Sequence, residues 1–132
     1  MEGAQVMGEV KFYKCEKCGD IFIKTFESGE ADGAGHKFVE LTANSVDAAT
    51  EKHVPVIEID GNTVTVTVGE VEHPMQDEHF ITFIYLHTEK TGQYVRLQPG
   101  EAPKATFALA DGDKVIEAFE YCNLHGLWVA KA

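Results

Sequence analysis

From residue 54 onward, short apolar runs alternate with turn residues, a pattern typical of β-strands. Residues 63–68 read Thr-Val-Thr-Val-Thr-Val, which predicts a strand with valine facing the core and threonine facing outward. The preceding Gly61-Asn62 predicts a two-residue hairpin turn. The other predicted strands cover residues 54–60, 79–88, 94–97, 105–109, 115–121 and 127–130. About seven strands at this spacing predict an all-β fold, an immunoglobulin-like β-sandwich.

The first 40 residues have a different pattern. Short strand-like pieces at 10–13 and 21–23 flank the sequence Cys-Glu-Lys-Cys-Gly, and the small residues of 28–35 indicate a loop. We therefore expect a short N-terminal segment, residues 1–40, followed by the sandwich domain, residues 41–132. The one helix-like piece is 45–52, where Ser45 is a suitable N-cap.

Composition narrows the possible functions. The chain has 132 residues, 44% of them hydrophobic, which suits one compact domain with a short appended piece. A formal net charge of -11 argues against binding to nucleic acid or to an anionic membrane surface. No apolar run is long enough to span a membrane, and residues 1–5 lack the features of a signal peptide. With only three cysteines, we expect a cytoplasmic protein.

Histidine and cysteine concentrate where the predicted strands end. Each such residue taken alone is ordinary, but together they form a set of nitrogen and sulfur donors near the sandwich loops. His87 does not belong to the set, because it lies about 26 Å from His79 along the same predicted strand. The candidate metal ligands are His53, His73, His79, Cys122 and His125.

The number and type of these donors indicate the metal. Structural zinc sites take four ligands in a tetrahedron. Four imidazoles and one thiolate instead suit a five-coordinate iron with one position open to a small molecule. A thiolate ligand would push electron density toward that molecule, as it does in thiolate-ligated haem.

Four separated motifs, in their sequence and in their order along the chain, resemble those of superoxide reductases of the desulfoferrodoxin/neelaredoxin type. The resemblance covers residues 41–132 and implies that the four histidines are equatorial iron ligands and that the cysteine is axial. The motifs are Glu51-Lys52-His53-Val54-Pro55, His73-Pro74-Met75, Glu78-His79-Phe80 and Cys122-Asn123-Leu124-His125-Gly126.

The resemblance also implies an activity, the reduction of superoxide to hydrogen peroxide at a mononuclear non-haem iron. Glu51 is implied to bind the oxidised iron at the open position, and Lys52 to attract superoxide. The implied electron donor is an external protein such as rubredoxin. We further expect a homo-oligomer, either a dimer or a tetramer.

The N-terminal segment resembles half of the family's desulforedoxin-like module. That module binds a second iron with Cys-x-x-Cys and a later pair of adjacent cysteines, whereas here Cys15 and Cys18 have no such pair after them. A tetrathiolate centre therefore cannot form within one chain. Zinc held by these cysteines with His36, or cysteines joined across a subunit interface, are alternatives. We expect a metal-free remnant with two free or paired thiols.

Two other functions would fit parts of this pattern. A cupredoxin-like electron carrier is also a β-sandwich, and Cys122 with His125 resembles a blue-copper ligand pair. Such a site takes an axial methionine after that histidine, and residues 126–132 contain none. An immunoglobulin-like binding module with incidental histidines would require all four motifs to arise by chance.

Overall fold

The computed structural model describes residues 9–25, 37–45, 53–69 and 73–132, and every regular element in these ranges is a β-strand. This confirms the predicted all-β fold, including seven strands after residue 53. No helix in the described part of the chain could cross a membrane. The strands are β1 (Phe12–Cys15), β2 (Ile21–Ile23), β3 (Phe38–Leu41), β4 (Pro55–Asp60), β5 (Thr63–Val68), β6 (Ile81–Thr88), β7 (Gly92–Arg96), β8 (Lys104–Ala108), β9 (Val115–Cys122) and β10 (Gly126–Lys131).

The described residues up to Thr42 form one compact unit, a three-stranded antiparallel sheet in the order β2-β1-β3. Strand β3 was not predicted, because three of its four residues are exposed and it lacks an alternating pattern. Its pairing with β1, from Phe12 opposite Leu41 to Cys15 opposite Phe38, makes it a strand. The division into residues 1–40 and 41–132 stays a prediction.

The described residues from Ala43 to Ala132 form the second compact unit, which contains two antiparallel sheets. Their orders are β10-β9-β6-β7 and β4-β5-β8. The predicted alternation of β5 is confirmed, since its three valines are fully buried while its threonines are more exposed. These valines pack in one core cluster with Ile84 and Leu86 of the other sheet. The predicted hairpin is also confirmed, with Gly61 at a φ of 62°.

The two inner strands of the larger sheet are antiparallel, so the start of β6 lies beside the end of β9. Ile81 lies opposite Cys122, and a register shift follows before Phe83. At the β10 edge, Asn44 forms an isolated parallel bridge with Trp128. Of the predicted helix at 45–52, residues 46–52 lie outside the described ranges.

Candidate metal centre

Five side chains from separate parts of the second unit meet at one place. One potential ligand atom from each lies within 4.8 Å of all the others. His53 precedes β4, His73 and His79 lie between β5 and β6, Cys122 ends β9, and His125 lies in the turn before β10. The structure therefore brings together all five candidate ligands of the sequence analysis.

The four imidazoles form a closed ring. Successive ring centroids are 4.8 Å apart for His53 and His73, 4.7 Å for His73 and His79, 5.0 Å for His79 and His125, and 4.8 Å for His125 and His53. Each ring stands edge-on to its neighbours, with interplanar angles of 65–81°. Cys122 Sγ lies 3.6 Å from His125 Nδ1. This is a compact set of four nitrogen donors and one sulfur donor.

His73 shows that the set fits a metal ion. Its Nδ1 donates to the carbonyl of Pro74 at 2.7 Å, so Nε2 carries the lone pair. Nε2 is buried without a hydrogen-bond partner among the described residues. Burial, together with the other three imidazoles, lowers the pKa of His73 to about 4. The ring is therefore neutral at pH 7, as a metal ligand must be.

Cys122 supplies the sulfur from the interior, since its side chain is fully buried. Burial raises the pKa of this thiol, and the backbone N–H groups of Leu124 and His125 oppose the rise only in part. The buried carboxyl group of Glu120 raises it further. A bound cation would offset this cost and stabilise the thiolate. Both donor types therefore fit a transition metal such as iron.

Trp128 contacts two of the candidate ligand residues, one by stacking and one by a hydrogen bond. Its indole stacks on the His53 ring, with centroids 4.7 Å apart and planes at 14°. Its Nε1 donates to the carbonyl of His125 at 3.1 Å. Groups that orient ligands in this way tune metal affinity. Sequence reasoning missed this role, although Trp128 is the single tryptophan of the chain.

Asn123 joins the two loops that carry ligands. Its Oδ1 accepts from the Phe80 N–H at 3.0 Å, and its Nδ2 donates to the Glu78 carbonyl at 3.1 Å. Its own N–H donates to the Phe80 carbonyl at 3.2 Å. These bonds fix the segment around His79 against the loop between Cys122 and His125. The sequence placed Asn123 inside a motif but did not reveal this contact.

The remaining candidate residues lie elsewhere. His87 is outside the cluster, as predicted, and its Nδ1 bonds to Glu117 Oε2 at 2.7 Å. Cys15 and Cys18 are also outside it. Glu51, Lys52 and His36 lie outside the described residues, so their predicted roles stay predictions.

The fold and this donor set define a class: β-sandwich proteins with a mononuclear metal centre of four imidazoles and one thiolate. Comparison with known proteins agrees. A sequence model of the Desulfoferrodoxin family matches residues 45–131. The chain belongs to this family.

Two relatives show how far the similarity extends. The chain is 44% identical over 121 residues to the desulfoferrodoxin of Syntrophotalea carbinolica, covering 91% of this chain and 94% of that protein. It is 39% identical over 105 residues to the superoxide reductase of Pyrococcus horikoshii, covering 66% of this chain and 90% of that protein.

A solved structure extends the similarity to three dimensions. The crystal structure of the superoxide reductase from Treponema pallidum superposes with a TM-score of 0.78 at 38% identity. The alignment covers 93% of this chain and 98% of that one.

Proposed function

We propose that this chain is a superoxide reductase that converts superoxide to hydrogen peroxide at one iron. The observation that carries the proposal is the closed ring of four imidazoles beside a buried thiol, all within 4.8 Å. We assign His53, His73, His79, His125 and Cys122 as its ligands. Family membership supports the assignment, because relatives named superoxide reductase align along most of their own length.

Bound iron would supply the single electron that reduces superoxide and would regain it from an external donor. The protein's part is to hold the donors in place. Trp128 and Asn123 fix three of the ligand-bearing segments by stacking and hydrogen bonds. Cys122 brings its sulfur from the core side, while His125 is exposed to solvent. This difference in burial supports an open position for superoxide on the side facing water.

Two further residues complete the proposed mechanism. Superoxide is an anion, and the formal net charge of -11 opposes its approach. Lys52 directly precedes His53, and we assign to it the local attraction of superoxide. We assign to Glu51 the binding of oxidised iron between turnovers. Both assignments come from the Glu-Lys-His motif.

The electron donor that we propose is a small redox protein such as rubredoxin. We further propose that the chain acts as a homo-oligomer, a dimer or a tetramer. A cytoplasmic location is supported by the three cysteines, which are all free thiols.

Replacement of Cys122 by serine tests the proposal. An oxygen donor is weaker than a thiolate, so we expect Cys122→Ser to lose the ferric-thiolate charge-transfer band and about 90% or more of the reductase rate. The matched control is the double variant Cys15→Ser and Cys18→Ser, which makes the same change away from the cluster and should keep both. Metal analysis and pulse radiolysis of the iron-loaded proteins give the two readouts.

Three results would contradict the proposal. Copper instead of iron in the purified protein would favour an electron carrier. A protein without stoichiometric metal would favour a binding module. Unchanged absorption in Cys122→Ser would remove this cysteine from the ligand set.

A further inference from the structure

A tight turn after β1 brings two cysteines of the first unit together. Cys15 ends the strand and is 3% exposed, whereas Cys18 is exposed. The turn is held by its own backbone, since the Gly19 N–H donates to the Cys15 carbonyl at 2.7 Å and the Cys15 N–H to the Asp20 carbonyl at 2.9 Å. Gly19 has a φ of 83°, which a residue with a side chain rarely adopts. The backbone of the turn therefore holds the two cysteines next to each other.

The two thiols differ in environment. The Cys18 N–H donates to Cys15 Sγ at 3.5 Å, and this bond, with the hydrogen bond between the thiols, lowers the pKa of Cys15. The Asp20 N–H lowers the pKa of Cys18, but the bond with Cys15, together with desolvation and Asp20, raises it overall. One sulfur is thus a better thiolate and the other a protonated, accessible neighbour.

Within the described ranges, neither cysteine belongs to a group of three or more potential ligands. A nucleophilic sulfur that accepts from the backbone N–H of a second cysteine, in a Cys-x-x-Cys turn, is an arrangement that forms a reversible disulfide.

We propose that Cys15 and Cys18 are a redox-active dithiol that hydrogen peroxide oxidises to a disulfide. The Cys15 thiolate attacks one oxygen of peroxide and the O–O bond breaks. The hydroxide released takes up the proton that Cys15 had lost and departs as water, and Cys15 becomes a sulfenic acid. The Cys18 sulfur then attacks Cys15 Sγ, and the S–S bond forms as a second water leaves. The two sulfurs together lose two electrons and two protons, and one peroxide becomes two waters.

The pair also has a route back to the dithiol. An external dithiol attacks the exposed sulfur of Cys18, and Cys15 leaves as the thiolate that the Cys18 N–H stabilises. The second thiol of the external dithiol then displaces Cys18 and closes the external disulfide. The chemistry of the pair is independent of the iron site. Only the source of peroxide rests on the proposed function, whose product it is.

Trypsin provides a sharp assay, because it cuts after Lys14, Lys17 and Lys24 and so puts the two cysteines on separate peptides. The reduced, iron-loaded chain is treated with one equivalent of hydrogen peroxide, alkylated, digested and analysed by mass spectrometry without reductant. We expect peptides 15–17 and 18–24 to appear as one linked species, about 2 Da lighter than their reduced sum. Free thiols after denaturation should fall from three to one per chain, and dithiothreitol should restore them.

Single variants separate the roles of the two sulfurs. Cys18→Ser should accumulate a sulfenic acid on Cys15 that dimedone traps, whereas Cys15→Ser should slow oxidation of Cys18 at least about tenfold. Glu16→Ala, which alters the same turn without touching a thiol or the tryptic site after Lys17, is the matched control and should form the disulfide normally. Sulfinic acid on Cys18 without a linked peptide would overturn the proposal. So would a disulfide-linked dimer on a non-reducing gel, or zinc or iron released when the two thiols are blocked.

A second arm generates superoxide enzymatically in place of added peroxide, with and without catalase. Linked peptides that catalase prevents would show that peroxide is the oxidant. Because superoxide also disproportionates to peroxide without an enzyme, the reductase is judged against Cys122→Ser: equal amounts of linked peptide from superoxide in the two proteins would mean that the reductase activity has failed while the dithiol proposal stands. If added peroxide forms no disulfide, the dithiol proposal has failed, whatever the reductase does.

Discussion

Two buried histidines near opposite ends of β6 have similar burial and hydrogen bonding, but only one of them belongs to the candidate metal centre. His73 is 2% exposed and His87 is 4% exposed. Each donates from Nδ1 to an oxygen at 2.7 Å, and each has a buried Nε2 without a hydrogen-bond partner among the described residues. The surroundings differ. His73 faces three more imidazoles, whereas His87 faces the carboxylate of Glu117, which also accepts from Lys131 at 2.8 Å.

The comparison shows what makes a metal site in this fold. A buried ring nitrogen without a hydrogen-bond partner among the described residues is not sufficient, because His87 has one as well. What distinguishes His73 is the convergence of further nitrogen and sulfur donors on the same point. At the His87 end the buried carboxylate of Glu117 bonds both to the His87 imidazole and to the exposed ammonium group of Lys131, which balances its charge.

The largest expected effect comes from removing each histidine in turn. His73→Ala should weaken iron binding at least about a hundredfold, because it removes a ligand itself, whereas loss of an outer partner costs about 10–100-fold. His87→Ala should keep about one iron per chain but lower the free energy of unfolding by about 3 kcal/mol, because it leaves a buried carboxylate with one partner fewer. Iron titration and urea unfolding measure the two effects. Full iron affinity in His73→Ala would refute the distinction between the two ends.

Two lysines test whether a positive charge next to a ligand in the sequence speeds the reaction: Lys52, which directly precedes His53, and Lys90, which follows β6. Lys52→Ile should slow the reaction with superoxide about ten- to hundredfold and weaken its salt dependence, because the variant lacks the local positive charge. Lys90→Ile makes the same change in net charge beyond the far end of β6 and should change the rate less than about twofold. Pulse radiolysis across a salt series gives both rates. Equal slowing in the two variants would mean that only the net charge matters.

The pH dependence of the free energy of unfolding tests whether the charged form of Glu117, near the His87 end of β6, stabilises the fold. Burial pushes the pKa of Glu117 upward, but hydrogen bonds from Lys131 and His87 outweigh it and hold the value below 4.5. The charged form therefore stabilises the fold above about pH 4.5, and this contribution is lost as pH falls through the lower folded value. Glu117→Gln should cost about 2 kcal/mol at pH 7 and flatten the decline in acid. Parallel acid profiles for variant and wild type would contradict this.

The smallest effect is expected at Trp128, where two contacts can be separated. Trp128→Phe keeps an aromatic face against His53 but removes the N–H that bonds to the His125 carbonyl, and should speed iron release about threefold. Trp128→Leu removes both contacts and should speed it about tenfold. Chelator competition measures the release. Identical rates in both variants would assign the whole effect to the hydrogen bond from Nε1 to the His125 carbonyl.

The sequence predicted the fold best where one strand has one buried face. Strand β5 matches its predicted range of 63–68 because alternation sets both its face and its length. The strand predicted from residue 79 begins instead at Ile81, because His79 forms a tight turn with Gln76 through two backbone hydrogen bonds. Strand β3 was missed because its pairing with β1, and not its own pattern, makes it a strand.

The candidate site, like the fold, has one part that the sequence predicted and another that it did not. Residue type and position at strand ends singled out the five donors, and strand length excluded His87. Trp128 and Asn123 act through stacking and through bonds to backbone atoms of residues distant in sequence. Contacts of this kind depend on register and loop path, which no local pattern encodes. Glu51 and Lys52 rest on their motif alone.

The distance along the chain between ligands has a consequence for folding. His53 and His125, whose ring nitrogens lie 3.1 Å apart, are separated by 72 positions. His53 precedes β4 of one sheet, and Cys122 ends β9 of the other, so the donors meet only after both sheets have formed and docked. Closing so long a loop is slow and entropically costly. We therefore expect the complete five-donor site to exist only after the two sheets have docked, and a partly folded chain to bind iron more weakly than the folded one.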